Sequence, residues 1–192
     1  MAEPAIRHMT LADFLRWEDG TDTRYELIGG FAVAMAPPAR AHGLLSVRLG
    51  AMIDAGLRSR RPCVAQSEAG IVPPGRDDTF YVADLAVTCR PYQRGEQMVA
   101  EPILIVEILS PSTERHDRRI KVPAYRTIDT LSEILLIDSE SIYAEILRRE
   151  GNHWITELVQ GRDAVLRLSS VGLQIAMADL YEGIDVETAN VA

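Results

Sequence analysis

Lysine is almost absent from this chain of 192 residues. Of its 20 basic side chains, every one except Lys121 is arginine. The 28 acidic residues leave a net charge of -8, which argues against a general polyanion-binding protein, because neutralising phosphates requires an excess of basic side chains. A nuclease is not excluded, because its active site must itself be acidic in order to hold a metal ion.

Cysteine is also scarce, since Cys63 and Cys89 are too few and too isolated for a disulfide framework or a zinc site. The N-terminal residues MAEPAIRHMT lack a signal-sequence pattern, and no apolar run approaches the length of a membrane span. We therefore expect a cytoplasmic protein. The chain length and the hydrophobic content of 47% predict one domain over residues 1–192.

The pattern of apolar residues predicts a mixed α/β fold. Helices are predicted over 10–19, 41–59 and 117–126 and near 177–181, and an N-terminal hairpin over 24–35 turns at Gly29-Gly30. Strands are predicted at 63–66, 69–74, 79–89, 102–109 and 132–138, and a second hairpin at 141–150 and 153–159. From Ala41 to Asp138 the order is helix, three strands, helix, strand, which predicts a three-layer core flanked by hairpins.

Two acidic residues lie inside strands that are otherwise apolar, Asp84 in FYVADLAV and Glu107 in ILIVEILS. A buried carboxylate needs a partner, and on neighbouring strands the two could converge to bind Mg²⁺ or Mn²⁺. Alternatively, each pairs with an arginine such as Arg90 or lies at a strand end in water. Glu26, in YELI, is a third embedded acid, for which a surface position on the hairpin is the simpler interpretation.

Lys121 is unexpected in a chain that otherwise uses arginine. Its compact, strongly hydrated charge suits orienting a water or steadying a phosphoryl oxygen. Asp117, Lys121 and Tyr125 share one helix face, which also fits a surface salt bridge beside a packed tyrosine. Pro123 predicts either a kink in this helix or a new helix that begins near Val122.

Histidines are weaker candidates. His42, at the start of the long helix, could reach the site or bind phosphate, although a half-exposed capping histidine is the simpler interpretation. The other three show no metal-ligand spacing: His8, His116 and His153.

The stretch EPILIVEILSPSTERHDRRIKVPAY, residues 101–125, resembles the central motif of the Uma2 family of restriction-endonuclease-like proteins, formerly grouped as DUF820. The resemblance extends from about Leu11 to Tyr181 and includes RYELIGG with Glu26, MAPPARAH with His42 and VADLAV with Asp84. Within the central motif the matching positions are Glu107, Ser110, Pro111, Thr113, Asp117, Lys121 and Tyr125.

This resemblance implies a PD-(D/E)XK nuclease fold, which is an αβββαβ core over about residues 10–181 with a mixed sheet and added N- and C-terminal β-hairpins. It also implies that Asp84 and Glu107 bind a divalent ion, with the Ile108 carbonyl as a further ligand and Glu26 as an additional candidate. Ala83 replaces the usual proline before the aspartate. Leu109 replaces the usual lysine after the glutamate.

We therefore expect a metal-dependent endonuclease that hydrolyses phosphodiester bonds of nucleic acid, with DNA as the expected substrate and Mg²⁺ or Mn²⁺ as cofactor. Lys121 would position the attacking water or neutralise developing charge, and Asp117 and Tyr125 would fix the lysine. A homodimer would bring two symmetric sites to a duplex. The alternatives are a catalytically silent nucleic-acid-binding or protein-interaction module on the same fold, and a hydrolase of small phosphoesters.

Overall fold

The computed structural model describes residues 8–186. The N-terminal elements are α1 (Leu11–Phe14), β1 (Tyr25–Ile28), β2 (Phe31–Ala34) and α2 (Arg40–Leu57). The central elements are β3 (Val64–Ile71), β4 (Tyr81–Thr88), β5 (Pro102–Leu109), α3 (Glu114–His116), a π-helical turn (Asp117–Lys121), α4 (Val122–Tyr125) and β6 (Glu133–Asp138). The C-terminal elements are β7 (Tyr143–Glu150), β8 (His153–Gln160), β9 (Val165–Leu168), β10 (Leu173–Ala176) and α5 (Met177–Leu180).

The central sheet has six strands in the order β3-β4-β5-β6-β7-β8. Its pairs are antiparallel except β5 and β6, which are parallel. Because a parallel pair needs a crossover connection, the helical segment from α3 to α4 crosses one face of the sheet. The order from α2 to β6 confirms the predicted αβββαβ core and the mixed sheet.

Two apolar layers, one on each face of the sheet, make this a three-layer structure. On one face, α2 contributes a stripe of buried residues one turn apart that packs against β4 and β5: Leu45, Leu49, Ile53 and Leu57. On the other face, Val122 and Tyr125 of α4 pack against apolar side chains of the same strands. The site strands therefore lie between two helical layers.

Three details of the predicted strands differ from the structure. Residues 63–66 and 69–74 were expected as separate strands, but β3 is continuous through Glu68, whose φ of 50° marks an irregularity rather than a turn. The hairpin of β7 and β8 extends the central sheet. The small hairpin of β9 and β10, with strands of four residues each, was not predicted.

The N-terminal hairpin is docked on β4. The amide of Leu27 donates to the Phe80 carbonyl at 2.9 Å, and the amide of Phe80 donates back at 2.8 Å. The helix α1 begins at a reciprocal capping box formed by Thr10 and Asp13. Docking brings the hairpin residue Glu26 next to β4.

The two cysteines are not isolated, which corrects the expectation from their spacing. Cys63 and Cys89 form a disulfide across 26 residues of sequence. The register of β3 and β4 pairs Val64 with Thr88, so the next residue of each strand lies directly opposite the other. Proximity here comes from strand pairing, which the sequence distance conceals.

Within residues 8–186, no helix is long and apolar enough to cross a membrane.

Candidate active site at the opening between β4 and β5

Asp84 and Glu107 lie on neighbouring strands where the ladder between β4 and β5 opens. The last ladder pair at this end is Leu85 with Val106, so Asp84 and Glu107 are the next residue of each strand. The Asp84 carboxylate accepts the amide of Ile108, the neighbour of Glu107, and its negative charge adds to burial in raising the pKa of Glu107. The two carboxylates are therefore close enough to interact.

The Asp84 carboxylate connects three elements. Its Oδ2 accepts a hydrogen bond from the Ile108 amide of β5 at 2.6 Å, and its Oδ1 lies 3.1 Å from Nε2 of His42 in the first turn of α2. The hydrogen bond with Asp84 raises the pKa of His42, although burial opposes this effect. The amide and carbonyl of one strand residue point to the same neighbouring strand, so the Ile108 carbonyl is also directed toward β4.

Glu107 is buried, with 2% of its surface exposed. The Tyr125 hydroxyl donates to its Oε1 at 2.6 Å, and Nζ of Lys121 lies 3.4 Å from the same oxygen. Burial raises the pKa of Glu107 well above its ordinary value, although the positive charge of Lys121 opposes this. Tyr125 thus holds the glutamate rather than the lysine, which differs from the expected role.

Lys121 is buried at 6% exposure and lies among four oxygen acceptors. Its Nζ donates to the Val82 carbonyl at 3.1 Å and lies 3.0 Å from Glu26, 3.3 Å from Asp117 and 3.4 Å from Glu107. Burial lowers the pKa of Lys121, but the surrounding carboxylates outweigh it and raise the pKa above the ordinary value. An ammonium has three donors, and four acceptors lie within 3.4 Å of this one.

The backbone that carries Lys121 is a π-helical turn, followed by a new helix at Val122. This arrangement confirms the second of the two alternatives that Pro123 predicts. Proline is tolerated in the first turn of a helix, where an amide donor is not needed. Single π-turns occur frequently at functional sites.

Glu26 is buried at 6% exposure, so the predicted surface position is wrong. Its Oε1 accepts the Val82 amide at 2.8 Å and lies 3.0 Å from Nζ of Lys121. The hairpin carries Glu26 into the protein because it docks on β4. This carboxylate therefore contacts the lysine and the backbone of β4.

Two histidines line the cluster. His42 contacts Asp84 and therefore reaches the site. This differs from the simpler interpretation of the sequence, in which His42 is a half-exposed capping residue. His116 was set aside in the sequence, yet its Nε2 lies 3.6 Å from Oε2 of Glu26. Within the described residues, Nδ1 of His42 and Nε2 of His116 are buried without a hydrogen-bond partner. The one sequence signal that could have placed His116 at the site is its position next to Asp117 in the central motif.

The structure does not pair either of the embedded acids, Asp84 and Glu107, with an arginine. Arg90 lies 3.5 Å from Glu96, away from Asp84. Arg118 binds Glu145 and Glu114. The partners of Asp84 and Glu107 are a histidine, a lysine, a tyrosine and a main-chain amide.

The family model described as "Uma2: Putative restriction endonuclease" matches residues 11–178. The chain belongs to the Uma2 family. It is 30% identical over 174 residues to the uncharacterized protein slr1290 of Synechocystis sp., covering 90% of each chain. It is 27% identical over 172 residues to sll1609 of the same organism, covering 88% of this chain and 97% of the relative.

A solved structure shares the fold. A "putative nuclease belonging to DUF820" from Anabaena variabilis is similar with a TM-score of 0.73 at 20% identity, covering 90% of this chain and 97% of that one. The Uma2 match and this fold together indicate a restriction-endonuclease-like nuclease, which confirms the family and the fold class expected from the central motif.

The two residues that depart from the usual nuclease motif, Leu109 and Ala83, are both buried in this Uma2 protein. Leu109, where a lysine is usual, is buried at 3% exposure in the apolar layer under α4. Lys121 reaches Glu107 from the π-helical turn instead. Ala83 is fully buried in β4 and pairs with Ala69 of β3.

The donor atoms of the Uma2 site fit a hard divalent ion. Asp84 and Glu107 supply carboxylate oxygens, and the Ile108 carbonyl is directed to the same opening, which matches the oxygen ligands of Mg²⁺ and Mn²⁺. In the described part of the chain, no three His, Cys, Asp or Glu side chains are grouped to bind a metal ion. The ligand set expected here has only two such side chains, so water would have to complete it.

Proposed function

We propose that this Uma2 protein is a metal-dependent endonuclease that hydrolyses phosphodiester bonds of nucleic acid, with DNA as the substrate. The observation that supports this most is the position of Asp84 and Glu107 directly beyond the last ladder pair of β4 and β5, with Asp84 bound to the amide of Ile108. The only lysine of the chain lies within 3.4 Å of Glu107. The carboxylates at this opening suit a divalent cation, and a cation bound there can in turn contact a phosphate.

Each residue has a role that its contacts support. Asp84 and Glu107 would hold Mg²⁺ or Mn²⁺ with the Ile108 carbonyl, and the bound ion would supply Lewis-acid chemistry for water and phosphate. Tyr125 keeps the Glu107 carboxyl in place through its 2.6 Å hydrogen bond. His42 keeps Asp84 oriented through its Nε2, which lies 3.1 Å from Oδ1 of that carboxylate.

In this proposal Lys121 holds other groups of the site in place, whereas the sequence predicted that it acts on the attacking water or on developing charge. Its ammonium balances the charge of three buried carboxylates, and contact with a phosphate would require the loss of one of these partners. We therefore propose that Lys121 positions Glu107 and the opening of β4, and that the ion carries the electrostatic stabilisation of the transition state.

A second candidate function is a binding module that has lost catalysis. The observation in its favour is the position of the Lys121 ammonium among four oxygen atoms of the protein itself. The net charge of -8 disfavours a broad nucleic-acid contact surface, so within this candidate it favours a protein-interaction module.

Cleavage assays separate these functions. Wild-type protein is expected to cut plasmid or single-stranded DNA in Mg²⁺ or Mn²⁺ and to stop when EDTA removes the ion. Equal degradation in EDTA would contradict metal dependence. Binding of DNA without cutting in either metal would favour the catalytically silent binding module. Turnover of small phosphoesters alone would favour a hydrolase of small phosphoesters.

Thermal unfolding provides a test that needs no substrate. Divalent ions that bind the folded site stabilise it by mass action, by about 2.7 kcal/mol at 100 times the dissociation constant. We expect the melting temperature to rise with Mn²⁺ concentration in the wild type and to respond much less in Asp84→Asn. The matched control Asp54→Asn removes an acid from α2, far along the helix from His42, and should keep the full response. An equal response in all three proteins would contradict the site.

A further inference from the structure

Arg24 lies at the base of the N-terminal hairpin, beside the candidate active site. Its carbonyl accepts the Met35 amide at 2.9 Å, so the pairing of the hairpin continues to this residue. Alternate residues of an extended chain point to the same side, and Arg24 comes two residues before Glu26. The Glu26 carboxylate enters the site, where it lies 3.0 Å from Nζ of Lys121. Arg24 is therefore on the site-facing side of the hairpin, roughly 7 Å along the strand from Glu26.

The ion-pair partner of Arg24 holds the guanidinium next to Asp84. Nη1 of Arg24 donates to Oε1 of Glu68 on β3. The ladder between β3 and β4 is paired on both sides of Glu68 and lacks a pair only there, and the β4 residue at that gap is Asp84. Neighbouring strands are about 4.8 Å apart. Arg24 is thus anchored one strand spacing from the carboxylate of the candidate site.

Glu68 has an uncommon backbone conformation for a strand residue. Its φ of 50° lies in the left-handed region, which is unfavourable for a residue with a Cβ atom. Its side chain is 58% exposed, so packing in the core does not require a glutamate here. Strained residues cluster at active sites and ligand clamps. The strain lies at the one position of β3 that is beside Asp84, which associates it with the site.

The guanidinium of Arg24 has the donors that a phosphate requires. It carries five N–H donors in a planar fork that matches phosphate oxygens, and the ion pair with Glu68 uses Nη1. The Arg24 side chain is 61% exposed. Lys121, by contrast, is buried with four oxygen acceptors within 3.4 Å of its ammonium. A phosphate that approaches the opening therefore meets Arg24 before Lys121.

We propose that Arg24 binds a phosphate of the nucleic-acid backbone at the active site, and that Glu68 positions its guanidinium when no nucleic acid is bound. The inference rests on the proposed function, because that function supplies the phosphodiester chain as the ligand. Glu68 competes with the phosphate for Arg24. Exposed ion pairs contribute little to stability, so a phosphate can replace this partner easily.

Fluorescence anisotropy of labelled duplex DNA tests the contact, with Ca²⁺ in place of Mg²⁺ and a gel of the same samples to show that the DNA is intact. Arg24→Gln is expected to weaken binding at least about tenfold, because a hydrogen-bonded charge is lost. The slope of log affinity against log salt concentration should fall by about one, the value for one phosphate contact. Arg24→Lys keeps the charge, so it should restore the slope but only part of the affinity.

Glu68→Gln is expected to act in the opposite direction. It removes the competing carboxylate, so DNA binding should tighten by up to about fivefold, and this gain should shrink when Arg24→Gln is also present. The matched control is the exposed ion pair of Arg76 and Asp78, whose atoms lie 2.7 Å apart in the loop before β4. Arg76→Gln and Asp78→Asn should each leave the affinity and the salt slope unchanged.

Two results would overturn the role of Arg24. One is wild-type affinity and salt slope in Arg24→Gln, and the other is an equal loss of affinity in Arg76→Gln. Cleavage in Mg²⁺ or Mn²⁺ is measured separately. A wild type that binds DNA through Arg24 without cutting contradicts only the proposed function. A wild type that cuts, together with an Arg24→Gln variant that binds and cuts unchanged, contradicts only the role of Arg24.

Discussion

Replacing Glu107 by glutamine is expected to lower metal-dependent cleavage at least roughly 100-fold, because even changes next to metal ligands cost 10- to 100-fold. The amide keeps the size of the side chain and an oxygen that can accept the 2.6 Å hydrogen bond from Tyr125. It loses the negative charge that an ion requires. The free energy of unfolding should change by no more than about 1.5 kcal/mol, the range of one hydrogen bond.

The measurement combines plasmid cleavage with urea unfolding of the same preparations. Glu133→Gln is the matched control, because Glu133 is also buried at 2% exposure but binds Arg148 and the amides of Ser169 and Ser170. That variant should lose stability and keep cleavage per folded molecule. Wild-type cleavage by Glu107→Gln would remove Glu107 from the reaction and leave the proposed metal site without its second carboxylate.

Replacing Lys121 by methionine is expected to destabilise the fold by about 3–5 kcal/mol, the usual cost of removing one partner of a buried ion pair. Methionine fills most of the volume of lysine, so the loss reports charge rather than packing. Three carboxylates within 3.4 Å of the ammonium would remain without their cation: Glu26, Asp117 and Glu107. Urea unfolding measures this difference.

Two comparisons make the Lys121 result specific. Adding Glu26→Gln to Lys121→Met should recover part of the loss, since it removes one uncompensated charge, and the double-mutant cycle gives the coupling energy. Arg118→Met removes a cation whose side chain is 31% exposed, so it should cost only about 1 kcal/mol. A Lys121→Met protein as stable as the wild type would show that the carboxylates are already neutral without the lysine.

The pH dependence of this effect has a definite sign. The folded-state pKa of Lys121 lies above the ordinary lysine value of 10.5, so the ammonium contributes its full stabilisation below that pH and loses it only as the pH rises beyond it. The stability gap between wild type and Lys121→Met should therefore be present at pH 7 and persist to pH 9.

Local sequence patterns predicted most of the secondary structure, because helix and strand periods are properties of short segments. The apolar spacing of α2 and the continuous apolar run of β5 both led to the observed elements. The irregularity of β3 at Glu68 and the cysteine pair were missed, because both depend on the pairing of β3 with β4. The hairpin of β9 and β10 was also missed, although its two strands pair locally.

The sequence by itself determined which residues stand out: acids embedded in apolar strands, a lone lysine and the motif of the Uma2 family. Only the tertiary structure decided what each one touches. It buries Glu26 through the docking of a hairpin, turns Tyr125 to Glu107, brings His42 to Asp84 and surrounds Lys121 with acceptors. Contacts such as these come from the packing of separate elements on one sheet, and residue spacing within a single element contains no information about that packing.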